Sequence, residues 1–314
     1  MFGLTILGNN SALPAYGRHP TAQVLQWADQ SFLIDCGEGT QLQMSQYQVR
    51  RGRITHIFIS HLHGDHYFGL AGLITSMALT GREQPLYLHG PAALEPILAL
   101  QLEAGGNKLP FPLIFKPNTG DGLIAEGEKF AVCCFAVKHR IECWGYLFKE
   151  KKPPRRLVPE AAIAAGIPQH YFSRLKWGAD YTHPGGGVVP NAQVTVPAAP
   201  PLSYAYCADT LYDPSLAKKV KGVTLLYHEA TFLHELAQRA AERYHSTARQ
   251  AALIALEAGV QRLIIGHFSS KYPCLEPLLQ EAQQVFAATE LALEGATYRL
   301  WHQRSIALNH QLIN

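Results

Sequence analysis

His61-Leu62-His63-Gly64-Asp65-His66 follows directly on the apolar run Ile57-Phe58-Ile59-Ser60. Three imidazoles and one carboxylate therefore fall within six positions, at the end of a predicted buried strand. Imidazole nitrogen and carboxylate oxygen are the donors that divalent cations such as zinc take. The strand delivers His61 to its end, the turn carries His63, and Asp65 and His66 open the next helical segment. Neighbours at a helix start point in different directions, so these four groups suit two cations better than one. The plainer reading is a histidine-rich surface loop. Against it stands the position, because ligands of layered α/β folds gather at the carboxyl ends of strands.

Whole-chain properties set the frame. The 314 residues are 47% hydrophobic and 16% charged, which fits a globular protein of one large or two small domains. No run of 18 apolar residues occurs, so no membrane-spanning helix is expected. The opening Met1–Gly8 has no charged leader or cleavage site and reads as a first strand. The cysteines, Cys36, Cys133, Cys134, Cys143, Cys207 and Cys274, form no Cys-x-x-Cys pair. They read as small apolar strand residues, reduced in a cytoplasmic setting. A net charge of +3 permits a polyanionic partner without arguing for one.

Strand-like runs occupy Leu4–Leu7, Ala22–Trp27, Phe32–Asp35, Ile54–Ile59, Leu86–His89, Phe130–Val137, Ser203–Cys207, Val223–His228 and Arg262–Gly266. Thr247–Ala258 is the clearest helix, with Arg249, Gln250 and Glu257 on one face and Gly259 as its stop. Strands cluster first and then alternate with helices, which predicts an α/β architecture: a layered sheet core covered by helices, with the chemistry on one rim. From about 149 to 201 the rhythm breaks into a stretch rich in proline and glycine, including Pro154, Pro159, Pro168, Gly185, Gly186 and Gly187. It is read as an insertion projecting from a single domain that spans 1–314.

Two cations need more donors than one block supplies. His139, Asp209 and His267 each follow a predicted strand: Phe135-Ala136-Val137-Lys138, Tyr204-Ala205-Tyr206-Cys207-Ala208 and Leu263-Ile264-Ile265-Gly266. A carboxylate can bridge two cations and an imidazole cannot, so Asp209 is assigned as the bridge. His61, His63 and His139 then serve the first ion, and Asp65, His66 and His267 the second. Such a pair clamps a displacement at phosphorus and holds hydroxide between the ions at neutral pH. Singly, His139 and His267 read as structural histidines; the combination in this order reverses that.

At these residues the chain resembles the metallo-β-lactamase superfamily, marked by His-x-His-x-Asp-His and a distal His, Asp and His. His63, where a glutamate would stand in the di-iron oxidoreductase branch, argues against that branch. His228-Glu229-Ala230-Thr231, His245-Ser246-Thr247 and Phe32-Leu33-Ile34-Asp35-Cys36-Gly37-Glu38-Gly39-Thr40-Gln41 narrow the likeness to the short form of the ribonuclease Z family, from residue 4 to about 300. The resemblance implies a four-layer αβ/βα sandwich, a homodimer, and two zinc ions per subunit, with manganese or another divalent metal as a substitute. It implies cleavage of precursor tRNA after the discriminator base, leaving a 3′-hydroxyl. Asp65 matches the proton acceptor of that family, and His245 a histidine facing the scissile phosphate. Glu229 would orient His245 or favour its protonated form, which stabilises the transition state or protonates the leaving oxygen. Two structural alternatives stay open: Glu229 as a buried carboxylate bonded to backbone, and His245 as a helix-start residue with Ser246 or Thr247 as the cap.

The family often carries a basic residue and an Arg-Asn pair after its first strand. Here the loop is Pro14-Ala15-Tyr16-Gly17-Arg18-His19, so only Arg18 is kept for the RNA 3′ end. The projecting arm of that family binds tRNA far from the metals and often holds a Gly-Pro dipeptide, which 166–178 lacks. Basic residues still gather there: Lys149, Lys151, Lys152, Arg155, Arg156, Arg174 and Lys176. Phosphate contacts of this kind position RNA without reading sequence, and Tyr171, Phe172 and Trp177 are expected to stack on bases. Arg50, Arg51 and Arg53 divide evenly between phosphate binding and plain surface, and Lys218, Lys219 and Lys221 read as an exposed turn. His56, His89, His302 and His310 are assigned to strand edges or the tail, and His234 to the surface. Two rival functions remain. A small-ester hydrolase of the same fold has no use for an arm, and a silent RNA-binding relative would have lost ligands or Asp65, all of which are present.

Overall fold

Apolar, β-branched and aromatic runs become strands, and most do so within a residue or two of the sequence reading. The computed structural model describes residues 2–27, 30–106, 108–151 and 154–301. Strands β1 (Phe2–Gly8), β2 (Ala22–Trp27), β3 (Gln30–Cys36), β4 (Ile54–Phe58), β5 (Leu86–Gly90) and β6 (Leu113–Pro117) come first. Next are β7 (Gly122–Glu126), β8 (Phe130–Ala136) and β9 (Trp144–Glu150), then four two-residue strands, β10 (Arg156–Leu157), β11 (Tyr181–Thr182), β12 (Val188–Val189) and β13 (Thr195–Val196). The chain closes with β14 (Ser203–Cys207), β15 (Leu225–Glu229), β16 (Arg262–Gly266), β17 (Thr289–Leu291) and β18 (Thr297–Leu300).

They form two seven-stranded sheets, ordered β18-β1-β2-β3-β4-β5-β6 and β17-β16-β15-β14-β9-β8-β7. In the first, pairing is antiparallel through β18, β1, β2 and β3 and parallel from β3 to β6. In the second, β14 to β17 run parallel. The two sheets meet through aromatic side chains. Phe58 of β4 lies 5.2 Å, ring to ring, from both Phe148 and Tyr146 of β9, and Phe32 lies 5.8 Å from Phe148. Tyr146 donates its hydroxyl to Ile59 O at 2.6 Å and Tyr204 donates to Gln23 Oε1. Each fully buried ring contributes about 1.5–3 kcal/mol by area alone. On its other face the first sheet carries Leu33, Ile57 and Leu88, packed with Leu73, Ile74 and Met77 of helix Leu70–Leu79 and Leu98 of helix Leu94–Ala104. Sheet against sheet with helices outside is the four-layer αβ/βα sandwich.

His56 and His89 differ from expectation. They sit on central strands, not at strand edges, and their rings stack 5.6 Å apart, with His89 4.7 Å from Phe58. Burial holds His56 down to about 4 and His89 to about 3, so both are neutral rings, His89 buried and His56 half-buried. Of the cysteines, Cys143 and Cys274 lie outside strands, and Cys274 is exposed. Lys218 and Lys219 end a short helix, and Lys219 pairs with Asp121 at 2.8 Å. Lys152, His302 and His310 lie outside the described residues.

The chain divides into two compact units, one of Met1–Glu126, Val132–Phe148 and Ser203–Trp301, the other including Gly127–Ala131 and Lys149–Leu202. The proline-rich stretch in the second unit is not a loop. It holds helices Pro159–Ala164, Phe172–Lys176 and Asn191–Val194 and the pairs β10–β13 and β11–β12. Ala162, Ile167, Leu175 and Val194 form its core, against which Tyr171 and Phe172 pack. Those two rings are therefore structural, whereas Trp177 is 71% exposed.

One close approach sets the rim of the first unit. Gly69, ahead of helix Leu70–Leu79, donates its N–H to Cys36 O at 2.9 Å, and a Cβ there would stand 2.2 Å from Gly37 O. That contact brings the helix Gly64–Tyr67, which carries Asp65 and His66, onto the end of β3. Gly69→Ala is expected to cost about 1–3 kcal/mol by overpacking, read as a lower denaturant midpoint. An unchanged midpoint contradicts the tight junction.

Candidate metal centre

Most residues of the centre lie where a strand of the first unit ends or just beyond. His61 and His63 follow β4, His139 follows β8, Asp209 follows β14, and His267 follows β16. Asp65 and His66 stand on the helix Gly64–Tyr67, and Glu229 is the last residue of β15. His245 precedes the helix Ala248–Ala258, which is held by a capping box: Thr247 Oγ1 accepts from Gln250 N and Gln250 Oε1 accepts from Thr247 N. Thr247 is the cap, Ser246 donates its hydroxyl to Thr210 O at 2.8 Å, and His245 is free of both tasks.

The structure brings together the seven residues picked as ligands. On one side, His63 Nδ1 is 2.9 Å from His61 Nε2 and 3.2 Å from His139 Nε2, and Asp209 Oδ2 is 3.6 Å from His61 Nε2. On the other side, His66 Nε2 and His267 Nε2 are 3.3 Å apart. Asp65 Oδ2 lies 3.5 and 3.3 Å from them, and Asp209 Oδ1 lies 3.4 and 3.2 Å away. Four donors around one zinc at about 2.0–2.1 Å are about 3.3–3.4 Å apart, so each group has the dimensions of a cation's shell. Asp209 turns one oxygen to each group, and its Oδ1 is buried without a hydrogen-bond partner among the described residues. A sealed carboxylate oxygen without a hydrogen bond is costly unless positive charge meets it, either a proton on the facing imidazoles or a metal cation.

The outer ring nitrogens are held in place. His66 Nδ1 donates to Asp35 Oδ2 at 2.7 Å, and His61 Nδ1 to Ser60 Oγ at 3.0 Å, whose hydroxyl donates on to Asp35. His267 Nδ1 donates to Thr231 Oγ1 at 3.0 Å, which passes its own proton to Glu229 Oε2. His139 Nδ1 donates to Tyr244 O at 2.9 Å. In each case the Nε2 lone pair is left facing inward, the tautomer a metal requires. Glu229 also accepts from the N–H groups of Thr210, Thr231 and Ser246, so it bonds to backbone and orients His245 at once.

Backbone strain collects at the same place. Asp35, Tyr244 and His267 have φ near +55 to +59°, and Ala12, at +64°, donates its N–H to Asp65 Oδ2 at 2.7 Å. Non-glycine residues in this region are uncommon and cluster at functional sites.

Charge follows from burial and neighbours. Burial keeps His61 well below the ordinary imidazole value, and burial with Arg140 brings His63 to about 4, so both offer lone pairs. Burial opposes ionisation of Asp65 and Asp209, but imidazoles outweigh it and hold both carboxyls low. Burial also works against a proton on His66, yet Asp209, Asp65 and Asp35 raise it well above the usual range. That clustered negative charge draws a cation to Nε2, whether a proton or a metal ion.

Other predicted site residues stand elsewhere. Arg18 has Nε on Asn10 Oδ1 at 2.9 Å and Nη2 on Tyr272 O at 2.7 Å, so most of its guanidinium fixes its own loop. Lys151, Arg155, Arg156, Arg174 and Lys176 belong to the second unit, where Arg155 donates to Thr195 Oγ1 and Arg174 lies over the Tyr171 ring. Sequence reasoning gave no role to Asp35, Ser60, Thr231, Ala12 or Arg140. A carboxylate inside the apolar run Phe32-Leu33-Ile34-Asp35-Cys36 was the available signal for the first.

Comparison with known proteins places the chain among relatives. A family model described as anti-Pycsar protein Apyc1 matches residues 2–109. Ribonuclease Z of Parabacteroides distasonis is 44% identical over 296 residues, covering 94% of this chain and 97% of that protein. Ribonuclease Z of Porphyromonas gingivalis is 44% identical, covering 93% and 97%. Human tRNase Z, short form, superposes with a TM-score of 0.70 at 26% identity, over 95% of this chain and 98% of that one. The metallo-β-lactamase fold protein YhfI from Bacillus subtilis superposes at 0.68 with 19% identity, covering 95% and 100%, a likeness of fold.

The Glu229–His245 pair gives a prediction. Burial disfavours the imidazolium, but Glu229, 2.9 Å away, outweighs it and lifts His245 from 6.5 to about 9. A raised value means the pair's stabilisation is complete below pH 6.5 and is lost as pH rises through about 9. In metal-stripped protein, proton NMR is expected to show His245 titrating near 9, and Glu229→Gln to bring it down by roughly 1–3 pH units. A titration indifferent to Glu229→Gln contradicts the ion pair.

Proposed function

The chain belongs to the ribonuclease Z family of the metallo-β-lactamase superfamily, and from that premise we infer how a metal-dependent endoribonuclease that matures tRNA 3′ ends divides its work among these residues. The reading is carried by one observation: Asp209 sends its two oxygens to two separate groups of inward-facing donors.

His61, His63, His139 and Asp209 would hold one zinc ion, and Asp65, His66, His267 and Asp209 the other, with manganese able to substitute. Bound there, the ions would lower the pKa of water to about 7 and offset charge on the phosphoryl oxygens. Asp65 Oδ2 faces the second group and Ala12 N–H, while Oδ1 has no hydrogen bond among the described residues and is the oxygen left to take the proton of the attacking water. The water oxygen bonds to phosphorus, and the bond from phosphorus to the 3′ oxygen of the discriminator nucleotide breaks. His245, charged by Glu229, returns a proton to that oxygen, which leaves as the 3′-hydroxyl.

The second unit, inserted at about 149–201, serves as the tRNA-binding arm. Lys151, Arg155, Arg156, Arg174 and Lys176, with Lys152 beside them in sequence, supply phosphate contacts. Exposed Trp177, beside Arg155 and Lys176 in one cavity, supplies a ring. A homodimer in the cytoplasm is the working form this reading adopts. Unpaired cysteines support the compartment, and no described helix is long and apolar enough to cross a membrane.

The test is cleavage of 3′-extended precursor tRNA, with the cut mapped at nucleotide resolution. One cut after the discriminator base is expected, abolished by chelator and restored by zinc or manganese. Asp65→Ala is expected to slow it by about 10²–10⁴-fold. Chelator-resistant cleavage, or an inert metal-loaded protein, contradicts the reading.

A further inference from the structure

His63 breaks the pattern that the other proposed ligand histidines keep. His61, His66, His139 and His267 each turn Nε2 inward and give Nδ1–H to an acceptor. His63 instead turns Nδ1 inward, and its outer Nε2 stands 3.0 Å from Nε of Arg140. A guanidinium has donors only. A neutral imidazole that commits its Nδ1 lone pair to a cation carries its proton on Nε2. The Arg140 Nε–H is aimed at that same Nε2, so a proton there sets two donors against each other on the rim, and neither can accept from the other. One oxygen of an anion satisfies both. Arg140 is exposed, and its terminal nitrogens have no hydrogen bond or ion pair among the described residues. The planar fork of a guanidinium matches phosphate oxygens.

We propose that His63 Nε2–H and the Arg140 guanidinium form a phosphate-binding pair that takes an RNA backbone phosphate flanking the scissile one. The inference rests on the two-cation nuclease reading of the centre. It gives the site a hold on the RNA strand beside the cut that is independent of base identity and distinct from the cations of the second unit. His63 thereby would join ion and strand through one ring: its inner nitrogen, turned toward His61 and His139, would hold the cation, and its outer N–H would meet the neighbouring phosphate. Lysine could supply the charge of Arg140 but not the Nε–H that stands beside His63.

The experiment measures equilibrium binding of a precursor tRNA with a non-cleavable scissile linkage to zinc-loaded parent, Arg140→Ala and Arg140→Lys proteins, across a salt series. Metal content is measured in each. Arg140→Ala is expected to keep its metal, weaken binding about tenfold and reduce the salt slope by about one. Arg140→Lys should recover the slope but not the full affinity. A neutral methylphosphonate placed at successive flanking positions should weaken the parent at one position and leave Arg140→Ala indifferent there, the non-additivity of two groups in contact. Equal affinity and slope in parent and Arg140→Ala overturn the inference, as do methylphosphonates that cost both proteins equally. Loss of metal from Arg140→Ala also overturns it, since the residue would then prop the centre. A parent that holds no metal or binds no precursor sinks the nuclease reading and this inference with it, whereas a sound parent with an indifferent Arg140→Ala sinks this inference alone.

Discussion

A carboxylate sealed from water must be met by donors, and Asp35 is fully buried at the end of β3. It receives four: Ser60 N at 2.7 Å, Ser60 Oγ at 2.9 Å, His66 Nδ1 at 2.7 Å and the Tyr206 hydroxyl at 2.6 Å. These come from the exit of β4, the helix that opens at Gly64, and β14 of the opposite sheet. One side chain therefore fixes how the two sheets and the histidine block meet. Each buried partner left unpaired would cost about 1–3 kcal/mol, so the arrangement is held as a set.

Glu229 does the same on the other side. Directly and through Thr231 it orients His245 and His267, as Asp35 orients His66 and, through Ser60, His61. Two buried carboxylates thus aim four rings, and the Tyr244 carbonyl aims a fifth. Rings held this way need little rearrangement when a cation arrives, and such outer partners govern metal affinity nearly as strongly as the ligands themselves. His63 has no outer acceptor among the described residues, only the Arg140 donor, and the rim beside it is where the RNA strand would lie.

Local signals carried much of this. The run before His61, the strand endings before His139, Asp209 and His267, and the Thr247 cap all follow from residue types a few positions apart. The strands that escaped notice are mostly edges: β6 and β18 border the first sheet, β7 and β17 the second. Edge strands are short and half-exposed, so alternation is weak there. Strand β9 is central and aromatic, but Gly145 interrupts it. The structure explains that glycine, since a Cβ would stand 2.3 Å from the Phe135 ring and 2.9 Å from Tyr206 O. The second unit hid its helices behind prolines that start or flank them, as Pro159 does. Contacts between distant residues, such as Asp35 with Tyr206 or Ala12 with Asp65, leave no periodic trace. No spacing rule could have revealed them.

The central claim is two cations sharing Asp209, and anomalous diffraction at the zinc edge tests it most directly. The account predicts two peaks about 3.5–4 Å apart, one against His61, His63 and His139, the other against Asp65, His66 and His267, each touching one oxygen of Asp209. A single peak, or peaks away from these side chains, would contradict it.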